Sequence, residues 1–311
     1  MEIIRDIEQF RSAPTVLTIG NFDGVHVGHQ RLLGILRDRA RELGVQATVL
    51  TFEPHTRAVV RPDPPVALLT PLPEKLALFA DLGLDQAVVL HFTPEMARLD
   101  ARQFLTWLNT SFPLVELWAG EGFALGHHRT GNLDVLTALG QEMGFAVHVF
   151  PPVREGDTVI SSTAIREALA AGDVGKAAEM LGRPYRLAGP VVPGAARGRD
   201  LGFPTANLDL PAGQALPADG IYATLVTRSQ TGERLPSTTS IGVRPTFGPS
   251  ERLVEVYLLD FSGNLYGEEL QVDFIGYLRG QIAYTGAEAL ITQMHQDVGR
   301  TREALNGHTE S

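Results

Sequence analysis

The chain has 311 residues, 44% of them hydrophobic and 20% charged, which is the balance of a folded globular protein and excludes a mainly disordered one. It contains no cysteine, so disulfide frameworks, zinc fingers, iron–sulfur clusters and thiol nucleophiles are excluded. A formal net charge of -10 speaks against a nucleic-acid partner, and no apolar run reaches the roughly 18 residues that a membrane span needs.

In chain order, MEIIRDIEQF (1–10) is acidic and lacks the apolar core of a signal peptide, so a cytoplasmic location is expected. TVLTIG (15–20), VQATVLTF (45–52), QAVVLHF (86–92), LVELWAG (114–120) and FAVHVF (145–150) read as strands. Between them, 29–43, 74–82, 101–108 and 133–143 read as helices; in the first, Leu32, Leu33, Leu36, Ala40 and Leu43 share a stripe. This alternation implies a doubly wound parallel sheet with helices on both faces. Residues 162–181 read as two short helices broken near Gly172. Beyond Gly182 the pattern changes to short β-rich runs: TANLDL, GIYATLVT, LPSTTSIG, LVEVYLLDF and LQVDFIGYL. They predict an antiparallel domain, sandwich or barrel. A last helix is expected behind a capping box of Thr285 and Glu288, with Leu290, Ile291, Met294 and Val298 on one face. The domains are accordingly 1–182 and 183–311.

Of the 26 basic residues only Lys75 and Lys176 are lysines, and neither stands in a Gly-Lys-Ser/Thr pattern. Any nucleotide chemistry here proceeds without a P-loop. The first candidate site is GNFDGVHVGHQ (20–30), a turn from strand to helix holding Gly20, Asn21, Phe22, Asp23, His26, Gly28 and His29. A helix start offers unpaired N–H groups, which suit phosphate. Gly28 lets a nucleotide approach the backbone, and both histidines can donate to phosphate oxygens. As an imidazolium, such a histidine would also stabilise charge on a transferring α-phosphate. A shared metal is a third reading of the pair, with no further ligand suggested nearby. ISSTAIREAL (160–169) adds Ser161, Ser162 and Thr163 at a helix start and Arg166 one turn in, a second anion site. In TFEPHT (51–56), Glu53 and His55 follow a strand at the edge where open α/β sheets bind ligands.

In the second half, GAARGRDLGFPTAN (194–207) gives a basic glycine loop with Arg197, Gly198 and Gly202 that could fold over a polyphosphate. Thr205 and Asn207 offer neutral oxygens of the kind magnesium takes beside nucleotide phosphates. Glu255 lies between Val254 and Val256, so it points to the opposite face of its strand, where a carboxylate could take a proton from an alcohol.

The order GNFDGVHVGHQ, TFEPHT, ISSTAIREAL, RGRDLGFPTANL, IGVRPTF, VEVYLLDF, LYGEEL resembles the bacterial bifunctional riboflavin kinase/FMN adenylyltransferases, also called FAD synthetases, over nearly the whole chain. The resemblance implies an N-terminal H-x-G-H nucleotidyltransferase-like, Rossmann-like module and a C-terminal six-stranded antiparallel barrel. It implies that riboflavin is phosphorylated by ATP at the barrel and that FMN is then adenylylated by a second ATP, giving FAD and pyrophosphate. Thr205 and Asn207 would hold Mg2+ and ATP phosphates, and Glu255 would be the catalytic base. His26 and His29 would bind ATP phosphates, with His29 catalytic, and Arg166 with Ser162 would steady pyrophosphate. Flavin contacts would fall to Glu53, His55, Arg129 and Arg279. Where the family reads GEDFRFG, this chain has GEGFALG, with Gly122 and Ala124 in place of an acid and a base; its R-x-E-x-x-F appears with Gln281 in place of the glutamate. Two narrower readings stand beside this one: a riboflavin kinase with a weakened adenylyltransferase half, and a flavin-binding protein without chemistry. The oligomeric state is left open.

Overall fold

A computed structural model of the chain describes residues 1–8, 10–194, 202–243 and 252–307. Arg197, Gly198 and the RPTF segment (244–247) lie outside them. The chain divides into two compact units, Met1–Ser162 and Thr163–Ser311.

The first unit is a six-stranded parallel sheet of β1 (Glu2–Ile4), β2 (Thr15–Ile19), β3 (Gln46–Glu53), β4 (Gln86–His91), β5 (Leu114–Gly120) and β6 (Ala146–Phe150), in the order β1-β4-β3-β2-β5-β6. Residues alternate between two cores, as the pleat requires. Val16, Val49, Ala87 and Val89 face α1 (Val27–Leu43) and α3 (Leu72–Asp81). Leu17, Leu50, Phe52, Val88 and Leu90 face α4 (Ala101–Ser111) and α5 (Leu133–Met143). The sheet is therefore doubly wound. Leu33 and Leu36 of α1 are fully buried. Each contributes about 1.5–3 kcal/mol, against under about 1 kcal/mol for an exposed pair such as Arg37–Asp38, so the apolar stripe sets how α1 lies. From β2 the chain moves outward to β3 and later returns to β5 on the other side. The sheet thus reverses direction at β2, and the loops after β2 and β5 leave its carboxyl edge there, the place where open α/β sheets bind ligands.

The second unit is a closed antiparallel barrel in the order β10-β13-β12-β11-β14-β9, built from β9 (Tyr185–Val192), β10 (Ala206–Leu208), β11 (Gly220–Arg228), β12 (Arg234–Val243), β13 (Arg252–Leu258) and β14 (Glu269–Arg279). Two short helices, α6 (Ser162–Ala170) and α7 (Val174–Leu181), precede it, and α7 packs on β9 and β14. On β11, Ala223 and Leu225 pack with Leu305 of the last helix, α8 (Ala287–Leu305). The alternate residue Thr224 is bonded to Ser237 and Thr239, all three fully buried. Each hydroxyl has a partner, so the cluster escapes the cost of about 1–3 kcal/mol for an unsatisfied buried group.

The expected elements recur with several differences. The capping box of Thr285 and Glu288 does not form: α8 starts at Ala287 with Gly286 as its N-cap and no side-chain cap. Thr285 sits one residue too early for its hydroxyl to reach the first amides. The buried face of α8 is also more polar than its stripe implied, carrying Asp297, Thr301 and Leu305. Asp297 is matched by Arg279, and Thr301 by Thr238 at 2.8 Å. Four strands escaped the pattern. β1 is too short for periodicity, the two-residue ribbon of β7 (Arg154–Glu155) and β8 (Thr158–Val159) shorter still, and β9 carries a glycine and a proline in its run YRLAGPVV. Finally, α1 begins at Val27, two residues before the expected start, because His26 caps it.

Candidate active sites

The H-x-G-H turn is locked by its own side chains. Asp23 is buried and its carboxylate accepts the amides of Leu69 and Thr70, at 2.9 and 3.2 Å from Oδ1. Its carbonyl accepts the Ser162 hydroxyl at 2.8 Å. Asn21 Nδ2 donates to Thr56 Oγ1 at 2.9 Å, and Asn21 Oδ1 accepts the Thr56 amide at 3.1 Å. Phe22 is buried at a positive φ of 48° and packs edge-on against Phe79 and His29. The side chains of Asn21, Phe22 and Asp23 therefore build the loop, leaving its backbone and the histidines to meet a ligand. Gly20 follows β2 and lines the adjoining cavity.

The two histidines form one unit. His26 Nδ1 accepts the His29 amide at 3.3 Å, and the rings stack at 3.6 Å between centroids with 17° between planes. Gly28 leaves this stack room, since a Cβ there would lie a tight 3.2 Å from the His26 ring. Burial, first, then the neighbouring His26 and Lys75, hold His29 well below the ordinary imidazole value of 6.5. Without a phosphate beside it, the ring is therefore neutral at pH 7. Its buried Nδ1 has no hydrogen-bond partner among the described residues.

Beneath this turn lies a residue that the sequence reading passed over. Lys75, on α3, is 4% exposed and its ammonium donates to the Asn21 carbonyl at 2.9 Å. The Thr51 hydroxyl donates to the same carbonyl at 3.1 Å. Burial pushes the lysine down from its ordinary value, opposed by Asp23 and Glu53. A lone lysine inside an apolar helix pattern was the available signal.

At the same sheet edge opens a cavity of about 1110 Å³, lined from β2 and β3 and from the segments that follow β3, β4 and β5. Phe52, Phe92, Met96 and Phe123 provide apolar wall, and Arg57, Arg61, Arg98 and Arg129 provide cations. Arg129 donates to the Gly122 carbonyl at 2.7 Å. A Cβ at Gly122 would meet nothing within 4 Å, so the missing side chain there leaves open space. Arg129 is thus on the cavity, whereas Glu53 and His55 are not part of its lining. His55 Nδ1 accepts the Arg57 amide at 3.1 Å and caps α2 (Thr56–Val60), a helix that read as loop. Ser161 and Ser162 lead into α6, and Thr163 and Arg166 follow on it within the second unit.

In the barrel, Asn207 on β10 stands opposite Glu255 on β13, and Thr205 Oγ1 approaches Glu255 Oε1 at 3.5 Å. Val254 and Val256 are buried while Glu255 is half-exposed, the alternation expected of it. The Asn207 side chain lies directly against Gly194, where any Cβ would collide with it. Gly202 precedes these residues with a φ of 82°, a conformation that favours glycine. A hydroxyl, an amide oxygen and a carboxylate so gathered are the ligand types of a hard cation. Arg279 is engaged by the last helix. Its guanidinium holds Asp297 of α8 through two bonds, at 2.8 and 2.5 Å, and donates to the Gly280 carbonyl. Gln281 donates to Ser240 Oγ and the Ile241 carbonyl at 3.1 and 2.9 Å, so it ties the chain to β12 without a charge.

Residues 8–164 match the FAD synthetase family, and residues 181–305 match the riboflavin kinase family. The bifunctional riboflavin kinase/FMN adenylyltransferase of Pseudomonas fluorescens is 39% identical over 306 residues, covering 97% of each chain. That of Escherichia coli K12 is 37% identical over 308 residues, again 97% of each. The Bacillus subtilis protein of the same name is 34% identical over 290 residues, covering 92% of this chain and 90% of its own. A solved structure described as a macrolide-efflux protein from Streptococcus pneumoniae is similar with a TM-score of 0.87 at 28% identity, over 96% of this chain and 98% of its own. Among the described residues, no helix is long and apolar enough to cross a membrane.

Proposed function

The chain belongs to the bifunctional riboflavin kinase/FMN adenylyltransferases, and on that premise we propose that its barrel phosphorylates riboflavin and its sheet unit adenylylates the resulting FMN. The observation that carries the second half is the cavity at the sheet edge. It joins Gly20 and Asn21 of the H-x-G-H turn to aromatic wall and to four arginines, which suits an isoalloxazine ring and a phosphate dianion beside a nucleotide site. This also weighs against the kinase-only reading, because Arg129 and the aromatic residues remain where Gly122 and Ala124 have lost side chains.

In the kinase step, Glu255 takes the proton from the riboflavin 5′-hydroxyl. The alkoxide oxygen then bonds to the γ-phosphorus of ATP, and the bond to the ADP oxygen breaks. Thr205 and Asn207, with the loop carrying Arg197, Gly198 and Gly202, hold the ATP phosphates. Their oxygens also suit Mg2+, which when bound would neutralise charge on the transferred phosphoryl group. In the adenylylation step, an FMN phosphate oxygen attacks the α-phosphorus of ATP, and pyrophosphate leaves. His26 and His29 donate to the ATP phosphates, and the Ser161–Thr163 hydroxyls with Arg166 receive the pyrophosphate. Among the flavin contacts, Arg129 has the strongest support from the cavity. Glu53 and His55 would act from its margin, and Arg279 through the position of the barrel's end and not through free charge. We assign the functional modules to 1–182 and 183–311, in the cytoplasm, with riboflavin, FMN and ATP as substrates and no nucleic-acid or membrane partner.

Purified chain supplied with riboflavin, ATP and magnesium should form FMN and then FAD, resolved by chromatography. No FMN would overturn the kinase reading, and FMN that accumulates without FAD would favour the narrower one.

A further inference from the structure

Lys75 occupies an unusual electrostatic position. It is one of two lysines in the chain, its side chain is almost wholly buried, and it reaches the H-x-G-H turn from below. An ammonium has three N–H donors, and the structure gives this one a single acceptor, the Asn21 carbonyl at 2.9 Å. Among the described residues no carboxylate lies within the 4 Å of an ion pair with it. Asp23 and Glu53 are near enough to favour its charge, but the Asp23 carboxylate is also engaged by the amides of Leu69 and Thr70. A buried cation without a close counter-ion is costly, and uncharged neighbours could hold the Asn21 carbonyl more cheaply, as Thr51 already does. The arrangement makes sense if the missing negative charge arrives with the substrate.

We propose that Lys75 is a positioning residue of the adenylylation step, fixing the Asn21 carbonyl and with it the Gly20–Gly24 turn, and supplying buried positive charge against which nucleotide phosphates settle. The inference rests on the adenylyltransferase reading of this unit. It assigns Lys75 two effects that can be separated. One is mechanical, through a hydrogen bond to the turn. The other is electrostatic, through a cation that faces Asp23 of the turn, Glu53 of β3 and His29 of α1. The same cation helps keep His29 neutral.

The test compares Lys75→Met, which removes bond and charge, with Lys75→Gln, which keeps a donor and removes the charge, and Lys75→Arg, which keeps both. FAD formation from FMN and ATP is measured across pH, with riboflavin phosphorylation by the same chain as the internal reference. Lys75→Met should lower kcat/KM for ATP in FAD formation by about 30-fold or more, and Lys75→Gln by at least about 10-fold, while riboflavin phosphorylation stays within about twofold. Lys75→Arg should restore most of the loss. The His29 ring, followed by NMR, should titrate at higher pH in Lys75→Met and Lys75→Gln, a change that a merely structural lysine would not cause. Where Lys75→Met fails to fold, the Lys75→Gln comparison decides. FAD formation by Lys75→Gln within about twofold of the unaltered chain, or an unmoved His29 titration, would overturn the inference while leaving the adenylyltransferase reading intact. An unaltered chain that makes FMN but no FAD would overturn that reading and the inference with it.

Discussion

The sheet unit and the barrel unit prepare for phosphate in different ways. In the sheet, the groups come from a loop and a helix start: stacked histidines, backbone amides and a buried lysine. In the barrel, they come from neighbouring strands: Thr205, Asn207 and Glu255, brought together by the register that sets Asn207 opposite Glu255. The first set is made of donors and cations, the second of oxygen acceptors. Donors meet a phosphate directly, whereas acceptors repel it unless a cation stands between. The two sites should therefore fail independently and respond differently to charge.

The largest effect that would break this comparison comes from the barrel. Glu255→Ala should slow FMN formation from riboflavin by about 1,000-fold, the loss of a general base, while FAD made from added FMN is unchanged. A parallel loss of both products in a folded variant would contradict separate sites. Next in size is the support of the barrel. Asp297→Ala leaves Arg279 buried without its carboxylate and should destabilise the barrel unit by about 3 kcal/mol, read from its urea midpoint, with little effect on the unfolding of the sheet unit. In the sheet, His29→Ala should lower FAD formation by about 100-fold and spare FMN formation, measured by product chromatography.

The smallest effect sharpens the electrostatic side. His29 titrates below 6.5 when folded, so as pH falls below about 6.5 the unfolded chain binds a proton that the folded chain refuses. Stability of the sheet unit attributable to His29 is thus full above that pH and declines below it. Urea midpoints at about pH 5 and pH 7.5 should lie closer together in His29→Gln than in the unaltered chain; equal spacing would remove the burial of His29 as the cause.

Much of this organisation was legible in the residues. The five long strands and their helices follow from apolar periodicity, because burying one face of an element constrains every third or second side chain. The motifs GNFDGVHVGHQ and GFPTAN announced themselves because glycine, histidine and short polar residues cluster where a backbone must turn tightly and still offer donors. Glu255 was legible from Val254 and Val256 on either side. The roles of single side chains were less so. Asp23 and Asn21 stand in a ligand-contact motif, and their side chains also hold Leu69, Thr70 and Thr56, residues distant in the chain. Arg279 read as a flavin contact, and its guanidinium is held by Asp297, 18 residues on.

By itself, then, the sequence determined most of the longer elements, the change from a sheet unit to a barrel, and where the chemistry-bearing residues cluster. These depend on local preference and on periodicity, which are properties of neighbouring residues. Only the tertiary structure decided which polar side chains line the cavity and which hold the loops. It alone also brought Lys75 beneath the Asn21 carbonyl, 54 residues away. Hydrogen bonding and charge act through distance in space, and a buried cation acquires its meaning only from what is packed around it.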